Sequence, residues 1–328
     1  MTHPTLRALI RDIIGRLERR FRGKSGRDRT RIGKRTIHKA SAANRILIGA
    51  AASPLPLAVS RLGTTENAVV KFYVENHVGG RCTFPDNLKK AIKELSGFFP
   101  LDDDSLSRFS QETLQQLEET DVMGVRSERR ERSFWNLEKF LITRFARQST
   151  LIDFNALVPL GNPQSWTKEL KGKKVLVIHP FAHTVTQQFE KRHVLFDIPN
   201  FLPDCELDVL PAVQSVGENS SQTGFATWFD ALDSMKKEIA HRDFDVALIG
   251  AGAYGLFLAT ECKRLGKVGI HIGGATQLLF GILGKRWTDP SSPDSSSVLP
   301  FINEYWTGPT QAEVPAGASK VEGGCYWV

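Results

Sequence analysis

The chain has 328 residues, of which 41% are hydrophobic and 24% charged, a balance that excludes fibrous and wholly disordered proteins. Its length suffices for about two domains, or for one large α/β domain with an appendage, so no disulfide or metal is needed for stability. The four cysteines form no C-x-x-C pair, which argues against a zinc site or a disulfide framework and favours the reducing cytoplasm. No stretch has the roughly 18 apolar residues of a membrane-spanning helix, and no signal peptide is recognisable, so we expect a protein that is neither secreted nor integral to a membrane.

The positive charge is concentrated at the N-terminus. The first 40 residues contain 13 Lys and Arg and three acids, so this segment carries +10 and the other 288 residues carry −3. An enzyme that acts on nucleic acid would spread basic residues over its folded body. The distribution therefore argues against a nucleic-acid partner.

Residues 5–22 are predicted to form a basic amphipathic helix, because apolar side chains recur there at helical spacing with arginines between them. Such a helix can lie on an anionic membrane surface, pack on the protein itself or on a sister subunit of an oligomer, or bind nucleic acid. Residues 23–40 are predicted to be a flexible basic linker. We therefore divide the chain into an N-terminal unit, residues 1–45, and a folded body, residues 46–328.

The first part of the body, residues 46–170, begins with a strand at Leu57–Ser60 and a turn that leads into a helix. Residues 86–147 have the pattern of an entirely helical segment. Its acid run, Asp102–Asp104, fits the N-cap of a helix better than a metal site.

The second part of the body, residues 171–328, alternates strands and helices. Strands are predicted at Val175–Ile178, Glu206–Leu210, Val246–Ile249 and Val268–Ile272, with helices over residues 185–196, 226–241 and 254–265 between them. This order predicts an α/β fold with a Rossmann-like, doubly wound, mostly parallel sheet, to which residues 86–147 add a helical insertion.

The glycine run Gly250–Gly255 lies between a predicted strand and a helix, which is the context of a phosphate-binding turn. Gly250 allows the turn, Gly252 lets the backbone approach a phosphate, and Gly255 permits close helix packing. An NAD site would also need an acid at the end of the next strand, where this chain has His271 and no carboxylate. The pattern favours a mononucleotide or nucleotide-sugar phosphate over NAD, with a purely structural turn as the alternative.

A second glycine turn, Gly273-Gly274, follows the strand that contains His271, and the cations Lys285 and Arg286 come shortly after it. Two neighbouring strand ends that offer backbone N–H groups, with cations nearby, can hold a diphosphate.

Three side chains are candidates for proton transfer. His179 follows a buried strand and fits a general base, a diphosphate donor or a core histidine. Glu66 lies in the first turn of a helix, where it can bind a metal, accept a proton or cap the helix. Glu322 lies in a glycine-rich ending, with a surface role as its alternative.

Four stretches resemble bacterial polysaccharide-cluster proteins of the GT-D type glycosyltransferase superfamily: Gly172–Phe181, Phe244–Gly255, Ile270–Trp287 and Val321–Trp327. The resemblance covers about residues 46–328. It implies a Rossmann-like glycosyltransferase fold, a nucleotide-sugar donor, and an Arg-x-Gly-Asp-x-Glu signature whose acids help to hold a divalent metal and the donor.

Arg61, Gly63 and Glu66 match that signature, but Thr64 stands where its aspartate is expected. A threonine hydroxyl is a weak ligand for Mn²⁺ or Mg²⁺, so three accounts stay open. Glu66 binds the metal with help from the diphosphate, the enzyme works without metal using Lys285 and Arg286, or catalysis has been lost.

Our leading hypothesis is a cytoplasmic glycosyltransferase, held at the inner face of the cell membrane by its N-terminal helix. It would transfer a sugar from a nucleotide-diphosphate donor, a UDP-sugar first, to a surface polysaccharide or lipid-linked glycan. Glu66, His179 and Glu322 are its catalytic candidates, with Glu66 also the metal candidate. Its donor-binding candidates are Arg61, Gly63, Gly250, Gly252, Gly255, His271, Gly273, Gly274, Lys285 and Arg286. A non-catalytic nucleotide-sugar-binding scaffold and an NAD-linked oxidoreductase are the alternatives.

Overall fold

The computed structural model describes residues 29–127, 132–216, 223–292, 294–315, 318 and 324–327. The predicted amphipathic helix of residues 5–22 and the catalytic candidate Glu322 lie outside these ranges. In the described part of the chain, no helix combines the length and the apolar character that crossing a bilayer requires.

Nine strands form one sheet in the order β1-β2-β5-β4-β3-β9-β8-β6-β7. All neighbouring strands pair in parallel except β1 and β2, which are antiparallel. This arrangement confirms the predicted α/β fold with a mostly parallel sheet. The strands are β1 Arg31–Ile32, β2 Arg35–His38, β3 Leu57–Arg61, β4 Val122–Val125, β5 Thr150–Asp153, β6 Lys174–His179, β7 Glu206–Pro211, β8 Val246–Ile249 and β9 Val268–His271.

Helices cover both faces of the sheet. They are α1 Ala40–Ala51, α2 Thr64–Asn76, α3 Asp86–Ser96, α4 Asp103–Glu118, α5 Arg132–Arg144, α6 Ala182–Glu190, α7 Trp228–Ala240, α8 Gly255–Arg264 and α9 Lys285–Thr288. One core lies between the sheet and helices α2–α5, α7 and α8. A second core, on the opposite face, contains side chains of α1, α6 and the 3₁₀ segments Trp166–Leu170 and Gly274–Phe280.

The central strands are mostly apolar because they are buried on both faces, and their polar residues lie at or near their ends. In β6, Val175 and Val177 join one core while Leu176 and Ile178 join the other. β8 divides its four residues in the same way. Because these strands pair in parallel, the carboxyl ends of β3, β9, β8 and β6 lie at one edge of the sheet.

The predicted linker is wrong from residue 31 onward, since residues 31–38 form β1 and β2. Arg35 explains why this basic segment is ordered: its guanidinium donates to the carbonyls of Ile142, Ala146 and Ser149, at and beyond the end of α5. The cation thereby satisfies carbonyl groups that the helix end leaves without partners.

The predicted helical segment 86–147 contains a strand, β4, which pairs with both β3 and β5. Its four residues are buried and lie between two helices. The helix that follows it is α5, and α4 begins as predicted with an aspartate cap: Asp102 accepts a hydrogen bond from the Ser105 amide at 2.7 Å. The helix predicted over residues 185–196 is shorter and ends at Glu190.

Candidate active site

Charged side chains meet at the carboxyl ends of four adjacent strands. Arg61 ends β3, Asp153 ends β5, His271 ends β9, and Arg126 follows β4 by one residue. Because all four strands are parallel, these ends share one edge of the sheet, the edge at which open α/β folds bind ligands.

A cleft opens at this edge between the N-terminal ends of α2 and α8, with about 280 Å³ of free space that includes part of its open mouth. The enclosed part of this space measures only about 20 Å³, about the size of one water molecule, so a larger ligand would lie at the open mouth of the cleft. Five predicted donor-site or catalytic residues line it: Arg61, Gly63, Glu66, Gly252 and His271.

Arg61 presents a guanidinium without a matching anion. Its Nε is buried and has no hydrogen-bond partner, and no carboxylate of the described chain lies within 4.0 Å of the group. Burial lowers the pKa of Arg61, and the nearby charge of Arg126 lowers it further, while Tyr326 and Glu66 oppose the shift. A buried cation of this kind is stabilised when an anion binds.

Glu66 lies over the N-terminus of its own helix. A Cβ on Gly63, the N-cap of α2, would collide with the Glu66 carboxylate, so glycine leaves the space that this side chain occupies. Backbone N–H groups without helical partners concentrate at such an end and attract negative charge. The carboxylate makes no capping hydrogen bond with the described residues, and it faces the cleft, so the alternatives for Glu66 stay open.

His271 is 3% exposed, and its Nδ1 lies 3.1 Å from the Ser60 hydroxyl. Burial lowers the pKa of His271 well below its usual value, with a smaller contribution from Arg61, so the ring is neutral near pH 7. Its buried Nε2 has no partner among the described residues. The ring packs on Gly255, where any Cβ would strike it.

The glycines of the two turns differ in what they permit. Gly250 makes room for the ring of His179, Gly273 for the guanidinium of Arg61, and Gly274 for the ring of Tyr326. Gly252 instead adopts a φ of +53° and faces open space, so the backbone is accessible from the cleft at this one position of the first turn.

His179 does not line the cleft. It is 2% exposed, and its Nδ1 accepts a hydrogen bond from the Phe181 amide at 3.0 Å. Burial lowers the pKa of His179 to about 3, against a weak opposing effect of Glu313. A group with this pKa is a weak base at neutral pH, so the geometry favours the core role among its alternatives.

The C-terminal residues complete the edge beside Arg61. Arg286 stacks on Tyr326, with 4.9 Å from the guanidinium carbon to the ring centroid, and its positive charge acts on Arg61. The backbone amides of Lys285 and Arg286 donate to the carbonyls of Trp327 and Cys325. The side chain of Lys285 is exposed.

Two groups that the sequence did not single out belong to this edge, Arg126 and Phe154. The guanidinium carbons of Arg61 and Arg126 lie 5.5 and 4.8 Å from the centroid of the Phe154 ring. Arg126 directly follows the apolar run Val122–Val125, and this position is the signal that could have marked it. The sequence pattern predicts a helix there, so Arg126 was not expected at a strand end.

The residues of the cleft do not fit a divalent cation. Among its described lining residues Glu66 carries the only carboxylate, and His271 is the only other candidate ligand. No group of three or more His, Cys, Asp and Glu side chains able to hold a metal occurs in the described ranges. Mn²⁺ and Mg²⁺ require several oxygen ligands, and here a guanidinium stands beside the one that is available.

A family model for a GT-D fold-like domain matches residues 42–279, which is more than half of the chain. The chain belongs to the GT-D-like family. The range matched by this family's model contains Arg61, Gly63, Glu66, His271 and both glycine turns. Lys285, Arg286 and the C-terminal residues lie after it. No curated protein matches the chain.

Two solved structures are similar to this GT-D-like chain. One is described as the highly conserved domain of unknown function 1792 with a distinct glycosyltransferase fold; it is 13% identical, over 72% of this chain and 78% of that chain, with a TM-score of 0.40. A selenomethionine-substituted structure of domain of unknown function 1792 is also 13% identical, over 70% and 82% of the two chains, with a TM-score of 0.34.

Away from the cleft lining, Glu313 ties the C-terminal segment to α6. Its carboxylate accepts from the amides of His183 and Thr184 and from the hydroxyl groups of Thr184 and Thr310. Burial by itself would raise the pKa of Glu313, but these hydrogen bonds outweigh it and the pKa is lowered below its usual 4.5. The stabilisation is therefore present above pH 4.5 and is lost as the pH falls through the lower, folded-state pKa.

We expect Glu313→Gln to lower the melting temperature at neutral pH, by an amount equivalent to about 0.5–2 kcal/mol as for a lost helix cap. In strong acid, where the wild-type carboxyl is protonated as well, the two proteins should melt alike. Glu190→Gln, an exposed site at the other end of α6, is the control and should match wild type throughout. A difference for Glu313→Gln that persists unchanged in acid would contradict the assignment.

Proposed function

We propose that this protein is a glycosyltransferase that transfers a sugar from a nucleotide-diphosphate donor, with UDP-sugars the first candidates, to a surface polysaccharide or lipid-linked glycan. The observation that carries the proposal is Arg61, whose buried Nε has no hydrogen-bond partner and which no carboxylate of the described residues approaches within 4.0 Å, in a cleft at the N-terminus of α2. Membership of the GT-D-like family supports the reaction class.

The reaction breaks the bond between the sugar and the donor diphosphate, so negative charge grows on the leaving group. Preorganised positive charge and N–H donors at that place lower the barrier. Arg61 supplies positive charge at the cleft, and Gly252 leaves its backbone N–H open to a phosphate. Arg286 adds positive charge next to Arg61.

The acceptor hydroxyl must lose its proton as the new glycosidic bond forms. Glu66 is our assignment for the proton acceptor, because it has the only carboxylate among the described lining residues of the cleft. His271 is neutral and also lines the cleft, so it adds no charge there. His179 and Glu322 stay predictions, the first outside the cleft lining and the second outside the described residues.

A non-catalytic nucleotide-sugar-binding protein is the second candidate. It is favoured by Thr64, which replaces the aspartate of the family signature, and by the position of Glu66 over its own helix N-terminus. The contact of residues 5–22 with an anionic membrane, and the cytoplasmic location, stay predictions.

The test is a thermal-shift screen of the full chain with UDP, GDP, CDP, their sugar conjugates, NAD and S-adenosylmethionine, each with Mn²⁺ and with EDTA. A ligand at 100 times its dissociation constant stabilises by about 2.7 kcal/mol, a readily measured shift. We expect one nucleoside diphosphate and its sugar conjugates to stabilise the protein. Stabilisation by NAD alone, or by none of these ligands, would reject the proposal.

Catalysis is separated from binding by a second measurement, the release of nucleoside diphosphate from the stabilising sugar conjugate, first with water and then with candidate glycans as acceptor. A glycosyltransferase releases the nucleotide faster with its acceptor than with water. Tight donor binding without release, over a broad set of acceptors, would favour the scaffold.

A further inference from the structure

Two arginines from neighbouring strands share one aromatic ring at the cleft. Arg61 ends β3, Arg126 follows β4, and both guanidinium groups lie over Phe154, which directly follows β5. The face of an aromatic ring carries partial negative charge and attracts cations. Phe154 thus helps to hold two like charges close together.

The two arginines differ in how their charge is compensated. Arg126 donates from Nη1 to Glu138 at 2.7 Å, its amide donates to the same carboxylate at 2.9 Å, and Glu138 is 1% exposed. Arg61 has no such carboxylate within 4.0 Å in the described chain. One positive charge of the pair is therefore left for an external anion.

Arg126 also determines the shape of the turn that leads into the cleft. Its Nη1 donates to the carbonyl of Leu62 at 3.1 Å, and Leu62 links Arg61 to the N-cap Gly63 of α2. A single guanidinium, anchored by Glu138, therefore holds the backbone between Arg61 and the start of α2.

This charge arrangement opposes a metal. A divalent cation beside Glu66 would lie next to Arg61 and close to Arg126, with Thr64 in place of a second carboxylate. Repulsion between such charges is strong where water is excluded. A diphosphate, in contrast, would be attracted by both guanidinium groups and would relieve the repulsion between them.

We propose that the Arg61–Arg126 pair on Phe154 neutralises the donor diphosphate in this chain, so that the nucleotide binds without a divalent cation. The inference rests on the proposed function, because it concerns the same donor. Arg61 contacts the diphosphate, and Arg126 is a positioning residue that fixes the Leu62 turn and adds to the positive potential.

The test is calorimetric titration of the full chain with UDP, GDP and CDP, once in EDTA and once in excess Mn²⁺. We expect the nucleotide that binds to have the same Kd under both conditions within about twofold, a difference of about 0.4 kcal/mol by the general relation between Kd and free energy. Binding that needs Mn²⁺, or is at least about tenfold tighter with it, overturns the inference and leaves the proposed function intact. No binding under either condition overturns both.

A variant pair tests the role of Arg126. Arg126→Met combined with Glu138→Leu removes both charges together, so no buried carboxylate is left unpaired. We expect this double variant to fold and to bind the nucleotide at least about tenfold more weakly in EDTA, and Arg126→Lys to retain part of the affinity. Arg242→Met is the matched control, because Arg242 Nη1 donates to both carboxylate oxygens of Asp208 away from the cleft.

A folded double variant that binds as tightly as wild type would show that Arg126 has no part in binding. If the double variant does not fold, Arg126→Lys and the wild-type comparison of EDTA with Mn²⁺ decide the proposal by themselves.

Discussion

Replacing Arg61 by methionine is expected to weaken nucleoside diphosphate binding and to lower the rate of sugar transfer by about 10²–10³-fold, the usual cost of losing a preorganised charged donor. The free energy of unfolding should stay the same or increase. The reason is that Arg61 is held with a buried, unpartnered Nε and beside a second guanidinium, both of which cost stability.

The measurement is calorimetric titration with the nucleotide that stabilises wild type, together with urea denaturation of the same samples. Arg61→Lys keeps the charge but loses the forked geometry, so we expect an intermediate affinity. Arg192→Met is the control, because Arg192 also stacks on an aromatic ring, Phe189, but does not line the cleft. Affinity that survives in a folded Arg61→Met variant would refute the anion site.

Replacing Glu138 by alanine is expected to destabilise the protein by about 3–5 kcal/mol, because the partly buried Arg126 loses its carboxylate. Burial raises the pKa of Glu138, and the charge and hydrogen bonds of Arg126 oppose this shift. The double variant Arg126→Met/Glu138→Leu should be about as stable as wild type or more stable, since it removes both desolvated charges.

Urea denaturation of Glu138→Ala, Arg126→Met and the double variant at neutral pH gives the interaction energy of the pair. We expect each single variant to be clearly less stable than the double variant. If the effects of the two substitutions on the free energy of unfolding were additive, the two side chains would contribute by packing and not by compensating each other's charge. Glu112→Ala, which breaks the exposed pair with Arg108 on α4, is the control and should change stability by no more than about 1 kcal/mol.

The strands of the second half of the body could be predicted because most are short apolar runs, although β7 is interrupted by Asp208. Val246–Ile249 is found at the predicted bounds, and β6 extends the predicted strand by one residue at each end. β4 was missed because four apolar residues between two helices fit either element, and pairing with β3 and β5 decides between them. The basic residues 31–38 gave no strand signal, and Arg35 becomes a structural residue through carbonyls more than a hundred positions away.

The candidate site likewise contains residues that the sequence indicated correctly and residues whose position only the structure reveals. Arg61, Gly63, Glu66, Gly252 and His271 were marked by the sequence, since glycine turns and charged residues after buried strands have a local signature, and the structure places all five around one cleft. His179 has the same local signature, yet its ring turns into the core against Gly250 and Phe181. Side-chain direction and burial depend on neighbours distant in sequence, so local pattern does not distinguish the two histidines.

The sequence by itself determined the α/β class, the parallel strands of the second half and the glycine turns, because these follow from local composition and periodicity. The replacement of the signature aspartate by Thr64 is what the resemblance to the family implies. Only the tertiary structure decided that Arg126 and Phe154 stand beside Arg61, that Glu138 compensates one arginine of the pair, and that Glu66 lies over its helix N-terminus. The physical reason is that charge compensation is a property of short distances in space, and a parallel sheet brings strand ends together from positions as far apart in the chain as 61 and 271.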